Sequence, residues 1–193
     1  RKAAVEARPN ERAQAVFIPP TEPVSVKLPN ICSRVLSALP AHMREQIWLV
    51  GGAVRATLMG REVEDLDFVL AGDALATARI VADKLSADYF PLDTERGVAR
   101  VIIGSENGMV IDFARMHDDG ITADLLARDF TINALALPMG GIMHVLDPAG
   151  GQKHLRDKVI CMVKETALSA DPIRVMRAVR LAVELSFRID SAT

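Results

Sequence analysis

An α+β fold built on a mixed β-sheet is the expectation for this sequence, on three observations. Short apolar runs punctuated by glycine begin at Ile47 and recur along the chain. Stretches with helical spacing of apolar residues interleave with those runs. Asn107-Gly108 separates two of the runs, a strong hairpin signal that adds antiparallel pairing to the crossovers. Interleaving with hairpins belongs to an α+β or α/β chain with a mixed sheet, and α+β is the class expected here.

The elements follow in order. Residues 1 to about 30 carry Pro9, Pro19, Pro20, Pro23 and Pro29 among charged residues, without periodicity, and read as a mobile arm or linker. Residues 32–39 fit one amphipathic helix ending before Pro40. Residues 47–50 read as a buried strand, Gly51-Gly52 as a turn, and Ala53 as the start of a helix that stops at Gly60. A second strand is expected over 67–70. A helix over 73–86 places Leu75, Ala78, Ala82 and Leu85 on one face. Strands are expected over 87–92, 98–103 and 109–113, then a polar, movable loop over 115–124. Two further strands, 142–146 and 159–163, precede a closing helix over 172–185. No internal repeat is visible.

Composition excludes several classes of function. Half of the 193 residues are hydrophobic, so a disordered or collagen-like polymer is ruled out. Six Phe, one Trp and one Tyr are too few for a platform of stacked bases. A net charge of −2 exerts no global pull on nucleic acid or membrane, so a polyanion site must be local. Cys32 and Cys161 stand alone and far apart, which argues against a disulfide framework or a cysteine zinc site and for a reducing cytoplasm. No apolar run reaches the roughly 18 residues of a membrane span, and no signal peptide is seen. Arg1 in place of Met suggests a piece of a longer protein.

Four clusters could carry chemistry. Asp65 and Asp67 alternate with Leu66 and Phe68, so in a strand both carboxylates face one side, where they could bind one or two Mg²⁺ ions. Taken alone, such a pair is more often the solvated start of a strand. Gly51-Gly52-Ala53-Val54-Arg55 follows a strand and opens a helix, where backbone N–H groups can approach a phosphate. Arg55 in the first turn opposes the helix dipole, which suggests an anion nearby. It is neither a P-loop nor a dinucleotide fingerprint, and a plain strand-to-helix turn fits equally well. Asp112 ends an apolar strand, either facing water or completing a carboxylate trio as metal ligand or general base. Arg174, Arg177 and Arg180 share a broad face of the closing helix, with Asp171 as N-cap and Pro172 at the first helical position. That face is either solvated or built to meet a base edge and a phosphate.

The order of these pieces resembles a known family. Leu49-Val50-Gly51-Gly52-Ala53-Val54-Arg55 followed by Asp65-Leu66-Asp67 resembles motif A of class II tRNA nucleotidyltransferases and bacterial poly(A) polymerases. Arg128-Asp129-Phe130-Thr131-Ile132-Asn133-Ala134 is similar to their motif B, and Asp147-Pro148-Ala149-Gly150-Gly151 to the motif after it. Asp171-Pro172-Ile173-Arg174-Val175-Met176-Arg177 is similar to the motif that selects the incoming base. The resemblance implies a polymerase-β-type catalytic head with a mixed sheet flanked by helices over residues 31–168, and the start of a helical neck over 169–193. It implies that Asp65 and Asp67 hold Mg²⁺ for two-metal phosphoryl transfer and that Asp112 deprotonates an RNA 3′-hydroxyl. By the same resemblance Gly51, Gly52, Arg55, Arg128, Asp129, Asn133 and Arg177 contact the nucleotide, and Asp171 and Arg174 read its base. The implied activity is addition of CMP and/or AMP, from CTP and ATP, to a tRNA 3′ end or another RNA, in the cytoplasm; poly(A) synthesis is the nearest alternative. In the family, tRNA-gripping regions lie beyond the neck, so this stretch is expected to bind nucleotide and grip tRNA poorly.

The sequence also departs from the pattern. Ala56 stands for the family's usual Asp, Ala127 for the first of two motif B arginines, His154 for an Asp after Gly-Gly, and Ala170 for the Glu that helps orient the base-reading arginine. The last change bears on discrimination between CTP and ATP. A non-catalytic binding module is the rival from another class. Three clustered carboxylates argue against it, since they repel a triphosphate. A phosphohydrolase is a weaker third option that no His-Asp metal pair supports, since His117-Asp118 sits alone in a polar loop.

Overall fold

The computed structural model describes residues 28–193 except 105–107, 118 and 142–143. The expected N-terminal arm therefore lies outside the described residues, apart from 28–30. Asn107 of the hairpin signal and Asp118 also lie outside them.

The chain begins with α1 (Asn30–Ala38) and α2 (Ala41–Arg44), then β1 (Ile47–Val50) and α3 (Gly52–Leu58). Next come β2 (Asp65–Leu70), α4 (Ala74–Leu85), β3 (Asp88–Asp93), β4 (Val98–Ile103) and β5 (Met109–Arg115). After α5 (Ile121–Leu126) and a 3₁₀ turn (Thr131–Asn133) come β6 (Ala136–Pro138), α6 (Gly151–Arg156) and β7 (Val159–Ile160). The chain closes with α7 (Ala167–Ala170), α8 (Ile173–Leu185) and β8 (Arg188–Ile189). Six strands form one sheet in the order β3-β4-β5-β2-β1-β6. Only β2 and β5 pair in parallel within it, so the sheet is mixed and the class is α+β.

Each face of the sheet has its own task. Leu66, Phe68 and Leu70 of β2 and Ile111 and Phe113 of β5 point to one face, where α4 and α1 cover them with Ala78, Val81, Ala82, Cys32 and Val35. Phe68 and Phe113 stack there with ring centroids 5.4 Å apart. Asp73 caps α4 by accepting from the Ala76 N–H at 3.0 Å, a contact that stabilises a helix by about 1 kcal/mol. On the opposite face Val50 and Val69 pack against Leu125, Ala134 and Ala136, next to the polar residues of the site. A separate apolar cluster of Phe130, Ile132, Ile160, Ala178, Leu181 and Leu185 seats α8 on this side.

Several elements differ from the expectation. The first helix starts at Asn30, and the second strand starts at Asp65 because Asp65 and Leu66 pair with Val110 and Ile111. The loop expected over 115–124 gives way to α5 from Ile121. Gly120, at φ +90°, turns the chain and Leu125 is fully buried, so the helix is held by packing despite its polar start. Strand β6 has no counterpart in the sequence reading; it pairs with β1 and contributes buried Ala136 and Leu137. The strand expected over 142–146 falls partly outside the described residues, and within them Leu146 makes a single bridge to Ala136. The one expected over 159–163 is cut to Val159–Ile160, after which Met162 bridges to Phe130. Among the described residues no helix is long and apolar enough to cross a membrane.

The Phe68–Phe113 stack lies directly beneath the acidic face, so the fold's tolerance there is low. Phe113→Ala should destabilise the chain by roughly 3–5 kcal/mol, read as a lowered urea midpoint by circular dichroism.

Candidate active site

Parallel register between β2 and β5 puts Asp67 beside Asp112. Alternation along β2 turns Leu66 and Phe68 into the core and leaves Asp65 exposed and Asp67 half-buried on the other face, as the spacing predicts. Burial pushes the Asp67 carboxyl above its ordinary value, and the charge of Asp112 pushes it further; Arg128 pulls the other way. A cation at this point would relieve both pressures, and an all-oxygen donor set suits a hard divalent ion. Asp65 and Asp67 therefore fit such an ion. Asp112 is engaged otherwise. Arg100 Nε donates to its Oδ1 and Arg100 Nη2 to its Oδ2, each at 2.8 Å. Among the described residues no three His, Cys, Asp or Glu side chains converge as a metal cluster.

The turn from β1 into α3 passes through Gly51 at φ +68°, ψ −131°, a conformation open to glycine and strained for other residues. A Cβ there would also stand 3.2 Å from Arg128 Nη1 and 3.6 Å from Asp67 Oδ2. Gly51 donates its N–H to the Leu135 carbonyl at 3.1 Å, so its amide is occupied and its part is to keep the backbone close to Arg128 and Asp67.

One carboxylate ties the remaining elements together. Asp129, 6% exposed, accepts from the Phe130 N–H at 2.8 Å, from Asn133 Nδ2 at 3.1 Å and from Arg177 Nε at 2.8 Å. Burial alone would raise its pKa, but the bonds from Arg177 and Asn133 hold it below the usual carboxylate range. Asn133 in turn accepts from Arg55 Nη1, which links α3, the 3₁₀ turn and α8 in one chain of contacts. Burial lowers the Arg55 pKa against the pull of Glu184, whose carboxylate lies 4.0 Å away. Arg128 is paired with Asp124 at 3.0 Å.

Asp171, expected as the N-cap of α8 with Pro172 as its first residue, stands one position earlier: Pro172 is the N-cap. The helix itself begins at Ile173, and Asp171 Oδ1 accepts from the Ile173 N–H at 3.1 Å. Arg174 lies 3.9 Å from Asp171 Oδ2 and donates to the carbonyls of Ala167 at 3.2 Å and Ala127 at 3.5 Å. Arg174, Arg177 and Arg180 share one face, and all three line a single cavity of about 520 Å³. That cavity is also lined by Gly51, Gly52, Arg55, Asp65, Asp67, Arg128, Asp129, Asn133 and Asp171. Every site residue expected from the sequence is therefore gathered around one space except Asp112, which stands beside it on β5.

The profile of the poly A polymerase head domain matches residues 47–161. The chain belongs to the poly A polymerase head domain family. It is 41% identical over 170 residues to the CC-adding tRNA nucleotidyltransferase of Geobacter sulfurreducens, covering 88% of this chain and 38% of that protein. It is 41% identical over 145 residues to the A-adding tRNA nucleotidyltransferase of Deinococcus radiodurans, covering 75% of this chain and 32% of that one. Its fold matches a crystal structure of a tRNA nucleotidyltransferase complexed with a primer tRNA and an incoming ATP analog, with a TM-score of 0.67 and 34% identity, over 77% of this chain and 44% of that one. The chain thus spans well under half the length of the relatives it matches.

Two residues of this head domain escaped the sequence reading. Arg100 was legible in principle, since β4 and β5 form a hairpin whose register sets Arg100 opposite Asp112. Arg180 was seen on the helix face but given no role. Of the departures from the family pattern, His154 Nδ1 lies 2.8 Å from Thr131 Oγ1, and Ala127 supplies a carbonyl to Arg174.

The raised pKa of Asp67 has a consequence for stability. Its folded-state value exceeds the unfolded one, so ionisation destabilises the fold as pH rises past the unfolded value of about 3.9. In the absence of divalent ions Asp67→Asn should raise the melting midpoint by a few degrees at pH 7, and the gain should vanish near pH 3, as followed by calorimetry.

Proposed function

We propose that this chain is the catalytic head of an enzyme that adds CMP and/or AMP to tRNA 3′ ends. Residues 31–168 form the head and 169–193 begin the neck. The observation that carries the reading is the gathering of Gly51-Gly52, Asp65, Asp67, Arg128, Asn133 and the face of α8 around one cavity. A nucleoside triphosphate meets each part of it with a suitable group. Arg55, Arg128 and Arg177 supply positive charge for the phosphates, and Gly51 keeps the backbone close. Asp171 and Arg174 offer an acceptor and a donor fork to a base edge. Asp129 touches no phosphate in this reading; it holds Arg177 and Asn133 in place. Asp112, beside the metal-holding pair, accepts the proton of the RNA 3′-hydroxyl as its oxygen attacks the α-phosphorus and pyrophosphate leaves. Asp65 and Asp67 would hold Mg²⁺, which supplies charge neutralisation for the triphosphate and lowers the pKa of the attacking hydroxyl. In-line phosphoryl transfer depends on such positioning far more than on covalent catalysis. The partners are CTP, ATP and tRNA, and the compartment is the cytoplasm.

The test uses the full-length protein with Mg²⁺, labelled CTP or ATP, and tRNA transcripts ending before CCA, after the first C and after CC. Stepwise C, A or CCA addition supports the reading, and long A tracts on any RNA would transfer it to poly(A) synthesis. Nucleotide binding without incorporation would overturn it in favour of a binding module. Asp65→Ala with Asp67→Ala should lower kcat by at least about 10³-fold while leaving the circular dichroism spectrum unchanged. Arg174→Ala should lower kcat/KM for the favoured nucleotide roughly 10- to 100-fold and narrow its margin over the other, measured by competition between CTP and ATP.

A further inference from the structure

Arg100 on β4 lies directly across from Asp112 on β5, and Asp112 stands beside Asp67 on β2. The guanidinium meets the carboxylate as a fork, two parallel bonds of 2.8 Å, one of the stronger side-chain arrangements. The field of Arg100 also reaches Asp65 and Asp67. One arginine is thus forked to Asp112, and its charge bears on Asp65 and Asp67. Arg128, the other cation whose charge bears on Asp67, is already paired with Asp124.

We propose that Arg100 is a built-in counter-ion that competes with a divalent cation for the carboxylates and yields Asp112 when the ion binds. The inference rests on the reading of Asp65 and Asp67 as the metal-holding pair. The geometry permits the exchange. Arg100 has a side chain 40% exposed, whereas its strand neighbours Ala99 and Val101 are fully buried on the other face. Swinging its guanidinium outward thus opens no core. Electrostatics requires the exchange. A divalent ion among these carboxylates weakens their hold on Arg100, and Arg100 in place raises the free energy of the incoming ion. Without metal, Arg100 offsets the repulsion between Asp112 and Asp67; with metal, it frees Asp112 for the RNA 3′-hydroxyl.

The experiment titrates Mn²⁺ into the chain without nucleotide or RNA and follows free Mn²⁺ by electron paramagnetic resonance. Arg100→Gln should bind Mn²⁺ about three- to tenfold tighter than wild type, with the melting midpoint measured on the same samples. Arg100→Lys keeps the charge but not the fork and should fall between the two; it carries the comparison if the glutamine variant does not fold. Affinity unchanged within about twofold would overturn the proposal and leave the ion pair a structural contact. Weaker binding in Arg100→Gln would also overturn it, because Arg100 would then be preparing Asp112 as a ligand. Failure of the underlying reading has a different signature: Mn²⁺ binding that survives Asp65→Asn with Asp67→Asn, whatever stands at position 100.

Discussion

Like charge held at close quarters is the constraint around which this molecule is arranged. The parallel pairing of β2 with β5 brings Asp67 and Asp112 side by side, and the same pairing buries Phe68 and Phe113 as a stack on the far face. Core and site cannot be separated, because strand alternation sends every second residue to each. A one-residue slip of β2 against β5 would drive Asp65 and Asp67 into the apolar layer. The hydrophobic stack therefore fixes the register that forces the carboxylates together, and packing free energy sustains an electrostatically unfavourable arrangement. Arginines on two sides, Arg100 and Arg128, lower the repulsion without cancelling it.

A second carboxylate solves the converse problem. Asp129 is buried yet satisfied by three donors, two from the residues just after it and one from α8. A buried unpaired charge would destabilise the fold strongly, so Asp129 compels Asn133 and Arg177 to stay where they are. Through Asn133 the constraint reaches Arg55 on α3. The result is one continuous chain of contacts joining motif A, motif B and α8.

How much of this was legible depended on the range of the interaction. The Asp65-Leu66-Asp67 spacing revealed a shared face because alternation is a local property. The adjacency of Asp67 and Asp112 is a matter of parallel register between strands far apart in sequence, and only the order of motifs pointed to it. Arg100 lay within reach of hairpin arithmetic, but arginine on an outward strand face reads as solvated. Helix α5 was hidden by the polar residues before it; the burial of Leu125 decides it. Strand β6 was hidden by its shortness and by a lack of alternation, the latter because both of its faces are covered.

The departures from the family pattern also find a physical account in the cavity's charge balance. The resemblance leads one to expect a glutamate just before Asp171, steering the base-reading arginine. Ala170 has no carboxylate to do so, and Arg174 is held instead by two backbone carbonyls, with Asp171 3.9 Å away. Carbonyls orient a guanidinium without neutralising it. Arg174 thus keeps more of its positive field than a second carboxylate would leave it, and Arg180 beside it forms no ion pair or hydrogen bond among the described residues. The alanine at position 127 acts the other way, removing one cation from the same rim. Of the four departures, Ala56, His154 and Ala170 stand for acidic residues of the pattern and Ala127 for an arginine, so together they make these positions less negative than the pattern, although the whole chain carries a charge of −2. With no glutamate at position 170, the orientation of Arg174 rests on the geometry with which two carbonyls hold it.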